Sequence, residues 1–446
     1  MKQVNLLTDS PHKLFFHYLA PTIGSSMVTS IYILADTIMV GQGVGDMGLN
    51  SLVIFTPVVA SFFAIGLLLG VGGGVLLSIA KGSGNETLAR KYFSTAMVAA
   101  AVISVCFALF GTIFFDPMMY ALGASAGNIE LIRGYGHCYV LSAPLFIFSA
   151  SLQSFIRNDK APRHAMTAVL TGSAVNIVLD YLFIFPCGMG MFGASIATTI
   201  GTAITVGILL LRFCSKKNTL HFSLKLFSVK ALWEIAKYGF PSFLIECANA
   251  VLVLVFNHVL LRYIGNTGVT VYSILSSAAI VCMSLFNGVT LAAQPIVATN
   301  YGAGEAKRVA QVRSVGVITS SIIAVFIFCV GFFFPDLLTY SFVGNPAAEI
   351  LQLAAYALRI YFFAYLFMNF NIFFSGYFQA TAFPAAAITV QILRSLLLSS
   401  ILVAVFPAIF GANAIWYAVP VTECITFGVS MVFLFLAKLK NQKNCI

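Results

Sequence analysis

Four carboxylates fall inside long apolar stretches of this 446-residue chain: Asp36, Asp180, Glu246 and Glu423. An acid carried into hydrocarbon costs about 2.5 to 3.5 kcal/mol on insertion scales, so each needs a partner or a task. Asn176 and Asp180 are four residues apart and share one face of a helix. At about 1.5 Å of rise per residue, Asp180 lies about 25 Å from the start of its helix, and Thr198 lies about 14 Å into the next one from the opposite side. Asp36 falls near the far end of the first apolar stretch and Tyr135 near the corresponding start of the fourth, so all five can meet in one half of the N-terminal part of the chain. Their oxygen atoms suit a hard monovalent cation, and two neighbouring carboxylates can instead hold a proton between them. The competing reading makes Asp36 an interfacial loop residue, with Asn176 and Asp180 bonding neighbouring helices.

The remaining polar residues divide by neighbourhood. Glu246 follows Pro241 by five residues, and both an ion-coupling and a helix-packing role stand for it. Arg394 and Glu423 sit at matching depths on neighbouring spans, which predicts a buried ion pair that fixes helix positions. Met368 and Asn369 lie in the aromatic run Tyr361–Phe370; facing a cavity, such rings and Met368 would hold flat lipophilic cations, whereas facing lipid they are apolar surface. The nine cysteines include no Cys-x-x-Cys pair and read as small packing residues, so no metal site is expected from them. His137, His164 and His258 are isolated and read as interfacial or packing residues.

Membrane-spanning helices must position these side chains. The composition is 60% hydrophobic and 9% charged, far from the balance of a water-soluble domain. Apolar stretches long enough to cross a bilayer recur at 14–40, 50–80, 93–115, 131–153, 164–186, 189–212, 238–261, 268–299, 314–335, 350–374, 384–406 and 412–437. They do not alternate, and backbone groups in lipid must satisfy one another within a segment, so helices rather than barrel strands are expected. The fold class is therefore an all-α polytopic membrane protein of about twelve spans. No short apolar core with a cleavage site precedes the first span, which reads as an uncleaved anchor. Of 24 basic residues, most fall at span ends on one side, among them Lys2, Lys81, Arg157, Arg163, Arg212 and Lys438. The net charge of +10 thus reports topology, with both termini cytoplasmic in a cell membrane, and no nucleic-acid partner.

The second half of the chain also repeats landmarks of the first in the same order. Pro21-Thr22 matches Pro241-Ser242, Gly82-Ser83-Gly84 matches Gly302-Ala303-Gly304, Pro162 matches Pro384, and Phe192-Gly193-Ala194 matches Phe410-Gly411-Ala412. Six spans per copy make two parallel, pseudo-twofold-related six-helix bundles, a recurring transporter design. The expected domains are residues 1–213, a cytoplasmic linker at 214–230, and 231–446. Positions equivalent to Asp36 fall at Phe256 or Asn257, and those equivalent to Asp180 near Leu398 to Leu402, so the second copy folds without these acids.

Ala35-Asp36-Thr37, the segment from Asn176 to Phe185, the Gly-rich run Gly188 to Ala194 and the duplication together resemble the multidrug and toxic compound extrusion family along essentially the whole chain. That resemblance implies a secondary antiporter exporting lipophilic organic cations or drugs in exchange for Na⁺ or H⁺ by alternating access, with no other cofactor and a monomer sufficient. It carries a coupling site over to Asp36, Tyr135, Asn176, Asp180 and Thr198, with Na⁺ held by Asp36, Asn176, Asp180 and Thr198. Another branch of the family couples through acids on the seventh and tenth helices; here Glu246 sits close after its proline and the tenth span has no acid.

Two other classes are weighed against it. A lipid-linked oligosaccharide flippase needs several cationic donors for pyrophosphate, and only Arg359 and Arg394 are available within spans. An intramembrane enzyme or ATP-driven pump needs a His-Glu-x-x-His helix, a Gly-x-Ser-x-Gly elbow or a phosphate-binding Gly-Lys loop, and none occurs. The expected surroundings are small organic cations and membrane lipids.

Overall fold

The computed structural model describes residues 4–343 and 346–443. Lys2, and the side chains of Lys438, Lys440 and Lys443, on which part of the charge reading rests, lie outside the described residues. The first copy consists of α1 (Pro11–Val44), α2 (Asp46–Gly82), α3 (Glu86–Ile113), α4 (Phe115–Ala121), α5 (Ile129–Leu141), α6 (Ala143–Asn158), α7 (Pro162–Ile184) and α8 (Gly190–Leu210). Short 3₁₀ turns at Leu211–Cys214 and Leu224–Leu226 lead into the second copy. There follow α9 (Val229–Tyr263), α10 (Asn266–Gly302), α11 (Ala306–Phe333), α12 (Pro335–Val343), α13 (Ala348–Phe363) and α14 (Tyr365–Ala380). The copy ends with α15 (Pro384–Gln391), a π-helical turn (Ile392–Leu397), α16 (Leu398–Phe410), a 3₁₀ turn (Ala412–Tyr417) and α17 (Ala418–Lys443).

Among the described residues, ten helical segments are long and apolar enough to cross a membrane, or twelve when the bent pairs α5–α6 and α13–α14 each count as one span. These pairs are the fourth and tenth expected spans. They bend by 53° and 41° at Ser142 and Ala364; the Ser142 amide is shared between Cys138 O and Tyr139 O, both at 3.1 Å, and the Ala364 amide reaches back three residues to Tyr361 O at 2.9 Å. Pro144 removes a donor at the first of these bends; the second forms without a proline.

The repeat persists in backbone detail. α2 and α10 have 37 residues each, and α3 and α11 have 28 each. Gly45 and Gly265 hold φ at 84° and 83°, Gly84 and Gly304 both at 77°, and Lys160 and Ala382 at 60° and 56°. The copies diverge where α7 runs without interruption and its counterpart carries the π turn around Arg394.

By contacts the chain divides into one unit of Met1–Asp9, Phe16–Glu246 and Ala298–Glu305, and a second of Ser10–Phe15, Cys247–Val297 and Ala306–Ile446. In the first unit α2 packs on α3 and α6. Small residues allow this: a Cβ on Gly70 would stand 2.7 Å from the Ser151 backbone, and Ser151 donates to Gly66 O at 2.9 Å. Close backbone approach of this kind is how helices associate in lipid, where burial gives little net drive. In the second unit, Tyr361, Phe362, Tyr365 and Met368 belong to the apolar core beside Phe286 and Trp416. Six residues of the aromatic run of the tenth span are buried, among them Tyr361, Phe362, Tyr365 and Met368, whereas Phe363 is exposed and Leu366, Phe367 and Phe370 are partly buried, so the run is part core and part apolar surface. The cysteines also depart from expectation: Cys282 is buried, but Cys106, Cys187, Cys214 and Cys424 are exposed. Cys106 and Cys424 lie on α3 and α17, where an apolar thiol needs no burial against lipid; Cys187 lies in the turn between α7 and α8, and Cys214 ends the 3₁₀ turn after α8.

Candidate functional site

α7 and α8 form a hairpin whose turn contains Gly188 and Gly190 at φ of 61° and 55°, left-handed values that strain any residue with a Cβ. Below the turn the two helices nearly touch. A Cβ on Gly172 would fall 1.9 Å from Thr205 Oγ1, and one on Gly201 would fall 2.7 Å from Gly172 O. This close packing puts Asn176 against Thr198, and the Asn176 Nδ2 donates to Thr198 Oγ1 at 3.3 Å. Thr198 in turn donates to Ala194 O at 3.0 Å.

α1 lies along α7 in the same direction. A Cβ on Gly24 would meet Met166 Sδ at 3.2 Å, and one on Gly43 would meet Ile184 Cγ2 at 2.1 Å, so the helices keep register between those points. Asp36 is twelve residues beyond Gly24 and Asp180 fourteen beyond Met166. At about 1.5 Å per residue the two acids reach the same depth to within about 3 Å. The two carboxyl groups act electrostatically on each other, and the Asn176 side chain acts on Asp180.

Asp36 is therefore a helix residue, about two turns inside the end of α1, which removes the interfacial-loop reading. Asp180 is fully buried, Asn176 is 3% exposed and Thr198 6% exposed. Asp36 Oδ1, both Asp180 carboxyl oxygens and Asn176 Oδ1 are buried and accept no hydrogen bond. Four unsatisfied oxygen acceptors in one place are costly as a permanent state, since each forfeits its hydration. They form a cluster of oxygen acceptors with no donor among the described residues.

Tyr135 closes the site from α5. It is 4% exposed, sits edge-on to Phe55 at 5.4 Å and stacks on Tyr139 at 5.4 Å. Tyr32 and Tyr139 also lie within electrostatic reach of both acids, and sequence reasoning misses them. The signal is present: Tyr32 precedes Asp36 by four residues and Tyr139 follows Tyr135 by four, one helical turn on the same face in each case.

The other candidates lie elsewhere. Glu246 on α9 is half-buried, with no hydrogen-bond or ion-pair partner among the described residues. Asn369 spends both amide hydrogens on its own helix, to Tyr365 O at 3.2 Å and Leu366 O at 2.7 Å, and accepts from Ser320 Oγ at 3.1 Å. Met368 packs in the second unit's core. Arg394 meets Glu423 Oε1 through Nη2 at 2.8 Å and through Nε at 3.1 Å. Asn371 completes this cluster, donating to Glu423 Oε2 at 2.7 Å and accepting from Ser430 at 3.0 Å. Among the described residues no group of three His, Cys, Asp or Glu side chains converges on a metal.

A family model described as MatE matches residues 21–182 and again 241–405. The chain belongs to the MatE family. The two matches begin at Pro21 and Pro241, the first pair of landmarks by which the two copies align in sequence. Curated MatE relatives include the multidrug export protein MepA of Staphylococcus saprophyticus, 26% identical over 438 residues, covering 96% of this chain and 95% of that protein. MepA of Staphylococcus aureus strain NCTC 8325 is 24% identical over 446 residues, covering 98% and 96%. Among solved structures, an outward-facing multidrug resistance MATE transporter of the MOP superfamily has a TM-score of 0.91 at 21% identity, with 99% of this chain and 98% of that one covered. A MATE protein in complex with MaL6 gives 0.91 at 21% identity, with 99% of both chains covered. Likeness at that identity concerns the MatE fold of polytopic helices, and the full-length coverage extends it to the whole chain.

Proposed function

We propose that this MatE-family protein is a secondary antiporter that exports lipophilic organic cations across the cell membrane, coupled to inward movement of Na⁺ or H⁺ through Asp36 and Asp180. Kinship with multidrug export proteins over nearly the full length supports the export reading. The observation that carries the coupling reading is the acid pair, Asp180 buried and Asp36 partly so, three of whose four carboxyl oxygens accept no hydrogen bond among the described residues. One proton or one monovalent cation between the carboxyls relieves the repulsion of two like charges. Asn176 Oδ1 and the Thr198 hydroxyl add neutral oxygens of the kind Na⁺ prefers.

The mechanism follows from differential affinity. With the site filled, α1 can lie along α7; with both carboxylates bare, the seam between them is pushed open. A ligand biases two states only by binding one better than the other, so coupling requires that cargo favour the arrangement the ion disfavours. One charge crossing 100 mV supplies about 2.3 kcal/mol, enough for a useful concentration gradient. In the same reading both termini are cytoplasmic, the segment at 214–230 links the two lobes on that side, and one chain suffices without further cofactor.

The flippase alternative loses its donors. Arg394 is consumed by Glu423, and Arg359 is exposed with its Nε on Phe332 O at 3.3 Å. The test is efflux of a fluorescent organic cation from proteoliposomes, with Na⁺ and pH gradients imposed separately, for the wild type and Asp36→Asn. Efflux driven by one gradient and lost in the variant is expected. Efflux that persists unchanged in Asp36→Asn would remove the acid pair from the mechanism.

A further inference from the structure

In the first unit, where α6 ends and α7 begins beside His17 of α1, a cavity of about 230 Å³ is lined by Lys160, Arg163, Arg212 and Lys217, with His17 and His164. The lining holds one carboxylate, Asp159, and that group is already saturated. Asp159 Oδ2 accepts from Arg212 Nε at 3.0 Å and Nη2 at 2.8 Å, and Oδ1 accepts from Lys81 at 3.3 Å and from the Thr219 hydroxyl. Its side chain is 1% exposed, so it anchors the wall and leaves little negative charge for the cavity. Four formal cations thus surround an open cavity with one engaged anion, Lys160, Arg163 and Lys217 exposed at its rim and Arg212 partly buried in its wall, a geometry that concentrates positive potential. The N-terminus of the 23-residue α7 opens here as well, with Ala161 as a residue that provides no side-chain cap. The positive end of the helix dipole adds to the field.

The ordinary reading is that span ends collect cations and that these are needed only for topology. The repeat speaks against it for this turn. In the register that pairs Pro162 with Pro384, Asp159, Lys160, Arg163 and His164 correspond to Thr381, Ala382, Ala385 and Ala386. Lys160 and Ala382 hold the same left-handed backbone, φ of 60° and 56°, each two residues before its proline. The second copy builds the same turn with no charge at any of these four positions, so the fold does not require them. Within the first copy the charges have been gathered around a cavity.

We infer that this cavity binds a phosphate group, as a phosphodiester headgroup of an anionic phospholipid or as a soluble phosphate. Lys160, Arg163 and Lys217 supply charge-assisted donors, with Arg212 held in place by Asp159. The site is separate from the acid pair of Asp36 and Asp180, so its occupancy can be read without transport.

Native mass spectrometry of the detergent-solubilised full chain, exposed in turn to phosphatidylglycerol and phosphatidylcholine, tests this, with inorganic phosphate added as competitor. Phosphatidylglycerol retained in preference to phosphatidylcholine, displaced by phosphate, and bound about tenfold more weakly in Lys160→Ala/Arg163→Ala/Lys217→Ala is expected for a lipid headgroup. Phosphate binding lost in the same variant, with no preference between the lipids, assigns the site to a soluble phosphate. A charge-conserving variant, Lys160→Arg/Lys217→Arg, should keep whichever ligand binds, which separates lost charge from lost folding. Equal retention of phosphatidylglycerol in wild type and in a monodisperse triple-alanine variant, with no binding of phosphate, overturns the inference.

Discussion

Asp36 and Asp180 face each other across the seam between α1 and α7, with Asn176 beside them and no cationic side chain among the groups that act on either. Their repulsion when both are charged is a store of instability. Asp180→Asn should therefore abolish ion-coupled efflux while raising the detergent melting temperature above that of the wild type in Na⁺-free buffer. The gain is on the order of 1 kcal/mol, the size of one relieved like-charge interaction. A variant that loses stability and keeps coupling contradicts the pairing.

The Asn176–Thr198 bond orients the amide next to the acids. Thr198→Val conserves shape and removes the hydroxyl, so the buried amide loses its acceptor at about 1 to 3 kcal/mol. Thr198→Ser should retain coupling, and Thr198→Val should raise the Na⁺ or H⁺ concentration needed for half-maximal efflux. Identical ion dependence in both variants would show that the hydroxyl only packs.

Arg394 and Glu423 occupy the positions that Gly172 and Thr205 occupy in the first copy, in the registers that pair Pro162 with Pro384 and Gly193 with Gly411. One copy closes this helix pair by backbone proximity and the other by a buried ion pair. Arg394→Ala leaves a buried carboxylate uncompensated and should cost about 3 to 5 kcal/mol. The pair replacement Arg394→Met/Glu423→Leu should recover most of that loss in thermal unfolding of purified protein. Its failure to recover would mean that the ion pair, with Asn371, does more than fill space.

Asp116 on α4 lies between the third and fourth spans, and the Arg133 guanidinium near the start of α5 donates to it, with Nε 2.9 Å from Oδ1, and holds that carboxyl below the usual carboxylate range. A depressed folded value means stability that is present above the unfolded pKa of about 4 and is lost as pH falls through the folded value. Acid unfolding should therefore begin at slightly higher pH in Arg133→Ala than in the wild type. Both side chains are solvent-accessible, so added salt should shrink the difference.

Gly172 stands against Thr205 Oγ1 with no room for a methyl group. Gly172→Ala should force α7 and α8 apart and destabilise the protein by about 1 to 3 kcal/mol, as overpacking does. A Gly172→Ala/Thr205→Ala double variant removes the nearest obstacle and should regain part of the loss. Melting temperatures of the two variants, compared with wild type, decide it.

Much of this was open to reading in the sequence. Hydrophobic stretches of bilayer length, their lack of alternation and the landmarks repeated from Pro21 and Pro241 onward give twelve spans in two copies, because in lipid a backbone has few ways to satisfy itself. Asn176 and Asp180 were legible as one face, since spacing of four is local geometry. What lies between helices was not legible in the same way. The register of α1 on α7 rests on Gly24 and Gly43, the approach of α7 to α8 on Gly172 and Gly201, and only these contacts set Asp36 beside Asp180. The bend at Ala364 has no proline to announce it, and the burial of Tyr361, Tyr365 and Met368 in the core beside it was not legible either. Helix periodicity is written residue by residue, so the sequence determined the spans and their faces. Which face meets which depends on small residues whose contact partners are distant in the chain, and that was decided by tertiary packing alone.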